Sequence, residues 1–454
     1  MSELPAGWVR IPISQACTMV RGVTYNKTES SDEPLLEYFP VLRANNIQAG
    51  KLVFSDLVYV PKKCIAPHQF IKAGDVVVAM SSGSKSVVGK AAKAVSDWEG
   101  AFGAFCGVLR PSNEVNHRYF YFFTQSAEYR TRVSELSAGV NINNLKPAHF
   151  EMIEIAVAPL AEQTRIAAKL DELLARVDTL KARVDGIPAL LMRFRQSVLA
   201  AAVSGQLTEE WRGAVNAADW SLTSLGAIAK RLHQGINTSA DKVEYSDSGV
   251  PILQAKHITS GKIVIADARL VNAELFEKYK EKYCPPSGSI LFTNIGTIGR
   301  SVVAGNSANY LIAWNIFLIE PSHNVVPEYL RMFLELLRLQ GYYESLYRGG
   351  ATQFVNKKQL SAIEISLPPV EEQTEIVRRV EQLFAFADQL EARVKAAQVR
   401  IDRLTQSILA KAFRGELVPQ DPNDEPASVV LERIKAQRAA APKARRGRRA
   451  ATLG

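Results

Sequence analysis

A chain of 454 residues, 47% apolar and 22% charged, has room for about three domains and the balance of an ordinary globular protein. Charges such as Arg193 and Arg195 interrupt its apolar runs, and residues 1–10 carry no apolar export signal, so we expect a cytoplasmic protein without membrane spans. The net charge of +9 points to a polyanionic partner, but seven positive charges lie in residues 435–454, and the remaining +2 excludes a globally basic body.

Residues 1–158 are predicted to form a first globular domain. Short β-rich runs such as residues 51–54 and 75–79 are broken by glycine and serine, and a helical stretch lies near residues 119–136. We expect an α/β (α+β) domain in which a twisted β-sheet carries polar loops.

Three loops of this domain carry side chains of the kinds that hydrogen-bond to base edges or phosphates. These candidate DNA-binding residues are Arg43, Asn45 and Asn46 in the first loop, Ser82, Lys85 and Lys90 in a glycine-rich second loop, and Asn141 and Asn143 in the third. For any single residue, a solvated or capping role is favoured over a DNA contact by roughly two to one. The prediction therefore concerns the loops as sets.

Residues 159–215 are predicted to contain a long helix. Apolar residues alternate four and three apart, which is the pattern that buries one stripe of a helix against a partner helix. The seam begins Ile166, Leu170, Leu173, Val177, Leu180 and continues to Ala201. Glu162 suits the positive end of the helix and Gly205 suits its end, which gives about 43 residues or roughly 65 Å. Gly186 and Pro188 should kink or break it.

Residues 216–368 are predicted to form a second globular domain of the same kind, with a β-rich run at residues 289–293 and a helix near residues 327–346. Its three loops match those of the first domain in position but not in side chain. The candidate DNA-binding residues here are Gln254, Lys256 and His257, then Asn294, Thr297 and Arg300, then Arg348, Gln353 and Asn356. Different side chains at matching positions indicate that the two domains contact different DNA sequences, each one half of a divided site.

Internal repetition relates the two halves of the chain. Residues 159–166 recur as residues 369–376, and residues 196–207 recur as residues 406–417, both at an offset of 210. The globular parts match more loosely, at offset 211 for residues 40–47 and 212 for Trp8 and Trp220. Each copy is thus a variable domain followed by a rigidly spaced helix.

Residues 369–420 repeat the helix, with Glu372 near its start and Gly415 at its end. The second seam contains Ile376, Val380, Leu383, Ala387, Leu390, Val394, Ala397, Ile401, Leu404 and Ile408. Antiparallel pairing needs the least connecting chain, so we expect a two-helix coiled coil with pseudo-two-fold symmetry and a globular part at each end. This geometry suits a split DNA site, whereas a purely structural spacer explains the helices but not the paired domains.

The remaining sequence supplies no catalytic or metal site. Gly83 to Lys90 departs from a nucleotide-binding loop in spacing, and no amino-methyltransferase, hydrolase or zinc-protease motif is present. The four cysteines and six histidines are isolated along the sequence. Residues 421–454 are predicted to be a disordered basic tail, which either attracts phosphates or is a solvated terminus.

With these features together, the chain closely resembles the specificity subunits of type I restriction-modification systems over residues 1–420. Three features carry the resemblance: the doubled helix start with Glu162-Gln163 and Glu372-Gln373, the doubled helix end Gln-Ser-Val/Ile-Leu to Gly-x-Leu, and the Gly-Asp-Val-Val-Val-Ala run at residues 74–79. Ser289, where the first copy has Asp75, is a modest departure.

The resemblance implies a non-catalytic subunit whose domains each recognise half of an interrupted double-stranded DNA site. The helices would set the spacer and dock modification subunits, expected in two copies, and restriction subunits. S-adenosylmethionine, ATP and magnesium would be held by those partners, and this chain would hold no cofactor or metal. The alternatives are a stand-alone bipartite DNA-binding protein, which needs no such partners, and a coiled-coil scaffold without DNA specificity.

Overall fold

The structure is a computed structural model that describes residues 3–139, 143–216, 218–306, 309–347 and 353–440. The chain divides into two compact units. Unit 1 takes in the chain up to Val184 and again from Ala397 onwards, and unit 2 runs from Asp185 to Ala396. Each unit therefore contains one globular part together with a portion of each long helix.

The globular part of unit 1 is built from short strands and short helices. In chain order these are β1 (Val9–Pro12), α1 (Ile13–Ala16), β2 (Cys17–Arg21), β3 (Tyr38–Leu42), β4 (Ile47–Gln48), β5 (Lys51–Leu52), β6 (Val58–Pro61), β7 (Val76–Ala79), β8 (Ser81–Ser82), β9 (Ala91–Lys93), β10 (Ala101–Phe102), β11 (Cys106–Pro111), α2 (His117–Gln125), α3 (Ala127–Leu136), β12 (Asn143–Asn144) and β13 (Glu154–Val157). The helix predicted near residues 119–136 is divided at Ser126, because the Ser126 hydroxyl accepts a hydrogen bond from the Tyr129 amide at 3.2 Å and starts a new helix.

The central sheet of unit 1 has the strand order β2-β11-β7-β9, with antiparallel neighbours. A second sheet has the order β10-β3-β6, in which β10 and β3 are parallel. Strand β7 is buried on both faces: Val76 and Val78 belong to the core that contains the aromatic residues of α2, while Val77 and Ala79 belong to the core on the other side. This mixed architecture confirms the α/β (α+β) class.

After the first long helix, α4 (Leu160–Val203), the globular part of unit 2 repeats the construction. Its elements are α5 (Glu209–Val215), β14 (Ser221–Ser224), α6 (Leu225–Ile228), β15 (Ala229–Gln234), β16 (Val250–Leu253), β17 (Arg269–Val271), α7 (Ala273–Tyr283), β18 (Ile290–Thr293), β19 (Ser301–Val303), β20 (Leu311–Ile312), β21 (Ile316–Pro321), α8 (Pro327–Leu339), α9 (Lys357–Ser361) and β22 (Glu364–Leu367). The second long helix, α10 (Val370–Phe413), and a terminal helix, α11 (Ala427–Ala440), complete the chain that the structure describes.

The two larger sheets have the same topology in both globular parts. The orders β15-β21-β18-β19 and β17-β16-β20 repeat those of unit 1, including the parallel pair, here β16 and β20. Equivalent residues pair: Leu109 lies opposite Val76 in unit 1, and Ile319 lies opposite Ile290 in unit 2. The repetition predicted from the sequence is thus a duplicated fold.

Helices α4 and α10 have 44 residues each and pack against each other in antiparallel fashion, as predicted. In unit 1, Ile166 and Leu170 share a core with Leu409 and Phe413, so the start of α4 meets the end of α10. In unit 2, Val198, Leu199 and Ala202 share a core with Ile376 and Val380, so the end of α4 meets the start of α10. Charged contacts follow the same pairing, with Lys181 Nζ 2.9 Å from Asp402 and Arg195 bonded to Asp388.

The predicted seam is buried unevenly. Ile166, Leu170 and Val177 are buried in unit 1, as are Ile376, Val380 and Val394 in unit 2, while Leu173, Leu383 and Leu390 are partly buried. Leu180, which the pattern places on the seam, is 50% exposed. Residues near the helix ends are covered by the partner helix and by a globular core, whereas Leu180 belongs to neither of these two cores.

Pro188 does not break helix α4, which continues from Leu160 to Val203. The expected break is therefore wrong. Proline removes one backbone hydrogen bond, and the other hydrogen bonds of this long helix maintain it.

The repeated Glu-Gln pair joins each helix to its globular part. The Gln163 side chain donates to the Ala158 carbonyl at 2.8 Å and accepts from the backbone N–H of Asn116 at 2.9 Å. Gln373 donates to the Pro368 carbonyl at 2.8 Å and accepts from the Val326 amide at 2.7 Å. These buried side-chain amides fix the direction in which each helix leaves its domain, which explains why the Glu-Gln pair occurs in both copies.

The prediction of disorder from residue 421 is wrong for residues 427–440. Ala427, Val430 and Ile434 of helix α11 are buried in the core of unit 1. Arg433 Nε lies 2.8 Å from Glu114, and the Ala427 amide donates to the Gly7 carbonyl at 2.8 Å. A short apolar stripe hidden in an alanine-rich and charged stretch therefore anchors this segment.

Among the described residues, no helix combines the length and apolar character that a membrane crossing needs.

Candidate nucleic-acid interface

Two equivalent turns carry the first set of predicted contacts. Polar turn 1 (residues 43–46) follows β3, and polar turn 2 (residues 254–257) follows β16. The Asn46 side-chain oxygen accepts from the Arg43 amide at 2.8 Å, and His257 Nδ1 accepts from the Gln254 amide at 2.8 Å. Residues 211 apart thus build the same turn.

The fourth residue of each polar turn is internal. Asn46 and His257 are buried, and the Asn46 amide also donates to the carbonyls of Val53 and Ser55 at 2.8 Å. Burial lowers the pKa of His257, and the charge of Lys256 lowers it further, so the imidazole is neutral at neutral pH. Asn46 and His257 shape the turns, whereas Asn45 and Lys256 are exposed and Arg43 and Gln254 are partly exposed.

A carboxylate that the sequence prediction did not include lies beside each polar turn. Asp56 accepts from Arg43 Nη2 and from the Asn45 amide, both at 2.8 Å. Asp267 accepts from Lys256 Nζ at 2.6 Å, and the hydrogen bond from Lys256 lowers the pKa of Asp267. Only the spacing of 211 residues, which is also that of the turns, could have drawn attention to this pair.

The second set of contacts lies on two glycine loops. Glycine loop 1 (residues 81–90) and glycine loop 2 (residues 294–300) close in the same way: the Lys90 carbonyl accepts from the Ala79 amide at 2.9 Å, and the Arg300 carbonyl accepts from the Thr293 amide at 2.9 Å. Lys90 and Arg300 are therefore equivalent. Lys85, Lys90 and Thr297 are exposed, while Ser82 and Arg300 are partly exposed.

Packing requires the glycines that precede Lys90 and Arg300. Gly89 and Gly299 have φ values of +75° and +88°. A Cβ atom on Gly89 would lie 2.3 Å from a methyl carbon of Val133, and one on Gly299 would lie 2.6 Å from the ring of Tyr343. Both loops are consequently held against the helical side of their domain.

Asn294 differs from the expected contact. It is fully buried, and neither atom of its side-chain amide has a hydrogen-bond partner in the structure. Its backbone N–H donates to the Asn315 carbonyl at 3.3 Å, as the backbone N–H of Met80 does to the Phe105 carbonyl at 2.8 Å in unit 1. Asn294 thus occupies the place of a core residue and is not on the surface.

The third set is only partly described. Asn141 and Arg348 lie outside the described residues. Asn143 pairs with Ser82 across strands β12 and β8, so the second and third loops of unit 1 meet. Gln353 is exposed, whereas Asn356 caps helix α9 by accepting from the Gln359 amide at 2.9 Å.

Aromatic side chains lie exposed beside these loops. The turn between β10 and β11 presents Phe105, which is 70% exposed, and the matching turn between β20 and β21 presents Trp314, which is 42% exposed. In unit 1 a pocket of about 520 Å³ is lined by Phe105 together with Tyr25, Arg43, Asn45 and Ser81. The sequence alone gave no sign of this, since isolated aromatic residues are usually buried.

Within the part of the chain that the structure describes, no three His, Cys, Asp or Glu side chains are grouped so as to hold a metal ion. What each unit offers is a surface of guanidinium, ammonium, amide and hydroxyl groups with exposed aromatic side chains beside them. Such groups hydrogen-bond to phosphates and base edges and stack on bases.

A family model described as "Type I restriction modification DNA specificity domain" matches residues 5–189 and again residues 218–398. The Type I restriction enzyme EcoKI specificity subunit of Escherichia coli (strain K12) is 41% identical, over 96% of this chain and 97% of its own length. The StySPI specificity subunit of Salmonella potsdam is 40% identical over 96% of each chain.

A solved structure shares the fold. It comes from work on the structural basis of complex assembly and conformational transition of the type I restriction-modification system. The TM-score is 0.66 at 19% identity, over 92% of this chain and 100% of that one.

Proposed function

This chain belongs to the family of type I restriction-modification DNA specificity subunits, and we propose that it reads a bipartite, interrupted double-stranded DNA site. A specificity subunit is the non-catalytic, DNA-recognising component of such a system. In this proposal each globular part is a target-recognition domain for one half-site, with boundaries at residues 1–158 and 216–368. The spacer helices then occupy residues 159–215 and 369–420.

One observation carries the proposal: two domains whose larger sheets have the same strand order present different polar side chains from equivalent loops. Arg43 and Asn45 correspond to Gln254 and Lys256, and Lys90 corresponds to Arg300. Arginine and lysine suit guanine acceptors, while asparagine and glutamine suit adenine. Different side chains on loops of equivalent structure favour two half-sites that differ in sequence.

The exposed and partly exposed members of the loops form the proposed contact surface. In unit 1 these are Arg43, Asn45, Ser82, Lys85, Lys90 and Asn143, and in unit 2 they are Gln254, Lys256, Thr297, Arg300 and Gln353. Asn46, His257, Asn294 and Asn356 support the loops from within. Phe105 and Trp314 join the surface as stacking or apolar contacts.

The long helices are proposed to set the spacer and to dock the catalytic partners. Apolar side chains on them stay about half exposed: Leu180 and Leu404 in unit 1, Leu190 and Phe386 in unit 2. An apolar stripe on a helix surface fits packing by further helices. We expect modification subunits in two copies, with S-adenosylmethionine, and restriction subunits, with ATP and magnesium, in the cytoplasm where their DNA lies.

The test is to express the chain with its modification subunits in a host that lacks adenine methylation and to map the methylated adenines. The proposal predicts one motif made of two short half-sites at a fixed separation. A single uninterrupted motif would contradict it. Sequence-specific binding that needs no modification subunit and leaves no methylation would instead indicate the stand-alone DNA-binding protein.

A further inference from the structure

The carboxylates beside the polar turns pair with the very side chains that are proposed to read bases. In unit 1, one oxygen of Asp56 accepts from both Arg43 Nη2 and the Asn45 amide, and the Asp56 carbonyl accepts from Arg43 Nη2 at 2.9 Å. Two donors of polar turn 1 are thus held on one residue.

Unit 2 repeats the arrangement with different chemistry. Asp267 accepts from Lys256 Nζ at 2.6 Å, and its other oxygen lies 3.4 Å from His257 Nε2. Asp56 and Asp267 are separated by 211 residues, as are Asn45 and Lys256. The carboxylate is therefore a repeated feature of both domains, although the side chain that it pairs with differs.

Neither stability nor phosphate attraction accounts for these two groups. The side chains of Asp56 and Asp267 are 74% and 65% exposed, and ion pairs this exposed add little to folding stability. On a surface that meets DNA, an exposed carboxylate repels phosphates and weakens binding to any sequence. What remains is their effect on the side chains that they hold.

We propose that Asp56 and Asp267 are specificity-determining positioning residues, each fixing the basic side chain of its polar turn for base contact. This inference rests on the proposed function. With Nη2 of Arg43 held by Asp56, Nη1 is the terminal nitrogen that can donate to a guanine acceptor. A side chain fixed before binding loses less conformational entropy when DNA arrives.

The same pairing suppresses binding to the wrong sequence. An unpaired arginine or lysine binds phosphates wherever it meets them, which favours all DNA equally. Charge pairing reduces this general attraction while leaving directed hydrogen bonds to bases. Removing the carboxylate should therefore lower discrimination without lowering affinity for unrelated DNA, a combination that damage to the fold would not produce.

The variants follow from the backbone at each site. Asp56 has a φ of +53°, so Asp56→Gly removes the side chain in a conformation that glycine adopts freely, and Asp56→Asn removes only the charge. Asp267→Ala and Asp267→Asn serve unit 2. Glu154→Gln and Glu364→Gln are the controls. These two exposed glutamates begin the equivalent strands β13 and β22, and each substitution removes one negative charge at a position away from the turns.

The experiment uses the full chain with its modification subunits and two probes: a duplex library of randomised sequence and a fixed duplex that lacks the selected site. We expect Asp56→Gly to reduce base preference in one half-site by about tenfold and Asp267→Ala to do so in the other. The Asn variants should fall between these and wild type. Binding to the fixed duplex should be equal to or tighter than wild type.

Unchanged base preferences in both Asp56→Gly and Asp267→Ala would overturn the inference, as would equal losses on both probes. The same loss of preference in the two glutamine controls would also overturn it, since charge alone would then be responsible. If the wild-type complex selects no bipartite sequence, the proposed function itself fails. Two wild-type half-sites with unaffected aspartate variants overturn the positioning role only.

Discussion

The indole nitrogen of Trp220 lies 2.9 Å from a carboxylate oxygen of Glu372, and Trp8 repeats the contact with Glu162 at 2.9 Å. In each copy a tryptophan near the start of the domain is therefore hydrogen-bonded to the first turn of the long helix that follows the domain. The surroundings differ, because Arg212 lies 2.8 Å from Glu372 whereas the second donor to Glu162 is the neutral amide of Gln420.

This difference predicts unequal costs for the same substitution. Glu372→Gln leaves the Arg212 guanidinium without its counter-charge and should lower the free energy of unfolding by ~1–3 kcal/mol. Glu162→Gln keeps an acceptor for Trp8 beside a neutral amide and should cost less than ~1 kcal/mol. Denaturant unfolding of the two variants in parallel measures both values, and equal losses would contradict the distinction.

The two carboxyl groups should also respond to acid in opposite ways. Burial raises the pKa of Glu162 above 4.5. Burial alone would raise the pKa of Glu372 too, but hydrogen bonds from Arg212, Thr208 and Trp220 outweigh it and hold that pKa below 4.5.

Folding therefore strengthens proton binding at Glu162 and weakens it at Glu372. The stabilisation by Glu372 is complete above pH 4.5 and is lost as the pH falls through its lowered pKa. Wild type should thus lose its advantage over Glu372→Gln in acid. Relative to Glu162→Gln it should gain as the pH falls through the raised pKa of Glu162. Unfolding temperatures measured against pH test this, and parallel curves for the three proteins would refute it.

Shortening both long helices by one matched heptad should shorten the DNA spacer. Residues 178–184 face residues 399–405, as the contact between Lys181 and Asp402 shows, and removing both segments keeps the seam in register. Seven residues span ~10.5 Å, so mapped methylation sites should show a spacer about 3 base pairs shorter and unchanged half-sites. Altered half-sites with an unchanged spacer would mean that the helices do not set the separation. Deleting three residues from each helix breaks the seam and is the control.

Helix α11 should be needed for the stability of unit 1. Ile434 is buried against that core, so Ile434→Ala should cost ~2–4 kcal/mol. Glu432→Gln on an exposed position of the same helix should change stability by less than ~0.5 kcal/mol. Hydrogen exchange would show the loss in unit 1, and unaltered protection there would mean that α11 only rests on the surface.

The duplication and the long helices could be predicted because both signals can be read along the sequence without knowing which residues meet in space. A seven-residue apolar period needs no knowledge of distant contacts, and a motif repeated at a constant offset excludes insertions within the helix. Helix α4 is not broken at Pro188, because the local cost of a proline says nothing of the hydrogen bonds that a long helix retains elsewhere.

The interface could be predicted only as loops. Asn46 and His257 have the same side chains as base-reading residues, yet both are buried and accept hydrogen bonds within their own turns. The roles of Asp56 and Phe105 depend on which strands pair, which the sequence pattern does not contain. The sequence pattern did not reveal helix α11, since its three buried residues lie in an alanine-rich and charged segment.

Base selection by Lys90→Ala and Arg300→Ala tests most directly whether each unit reads its own half-site. The two residues are equivalent in the fold and lie in different units. In selections from a randomised duplex library, each variant should weaken preference in one half-site, by ~1–3 kcal/mol if the side chain contacts a base, and leave the other unchanged. A loss in the same half-site for both variants, or in both half-sites for either one, would contradict recognition by two separate domains.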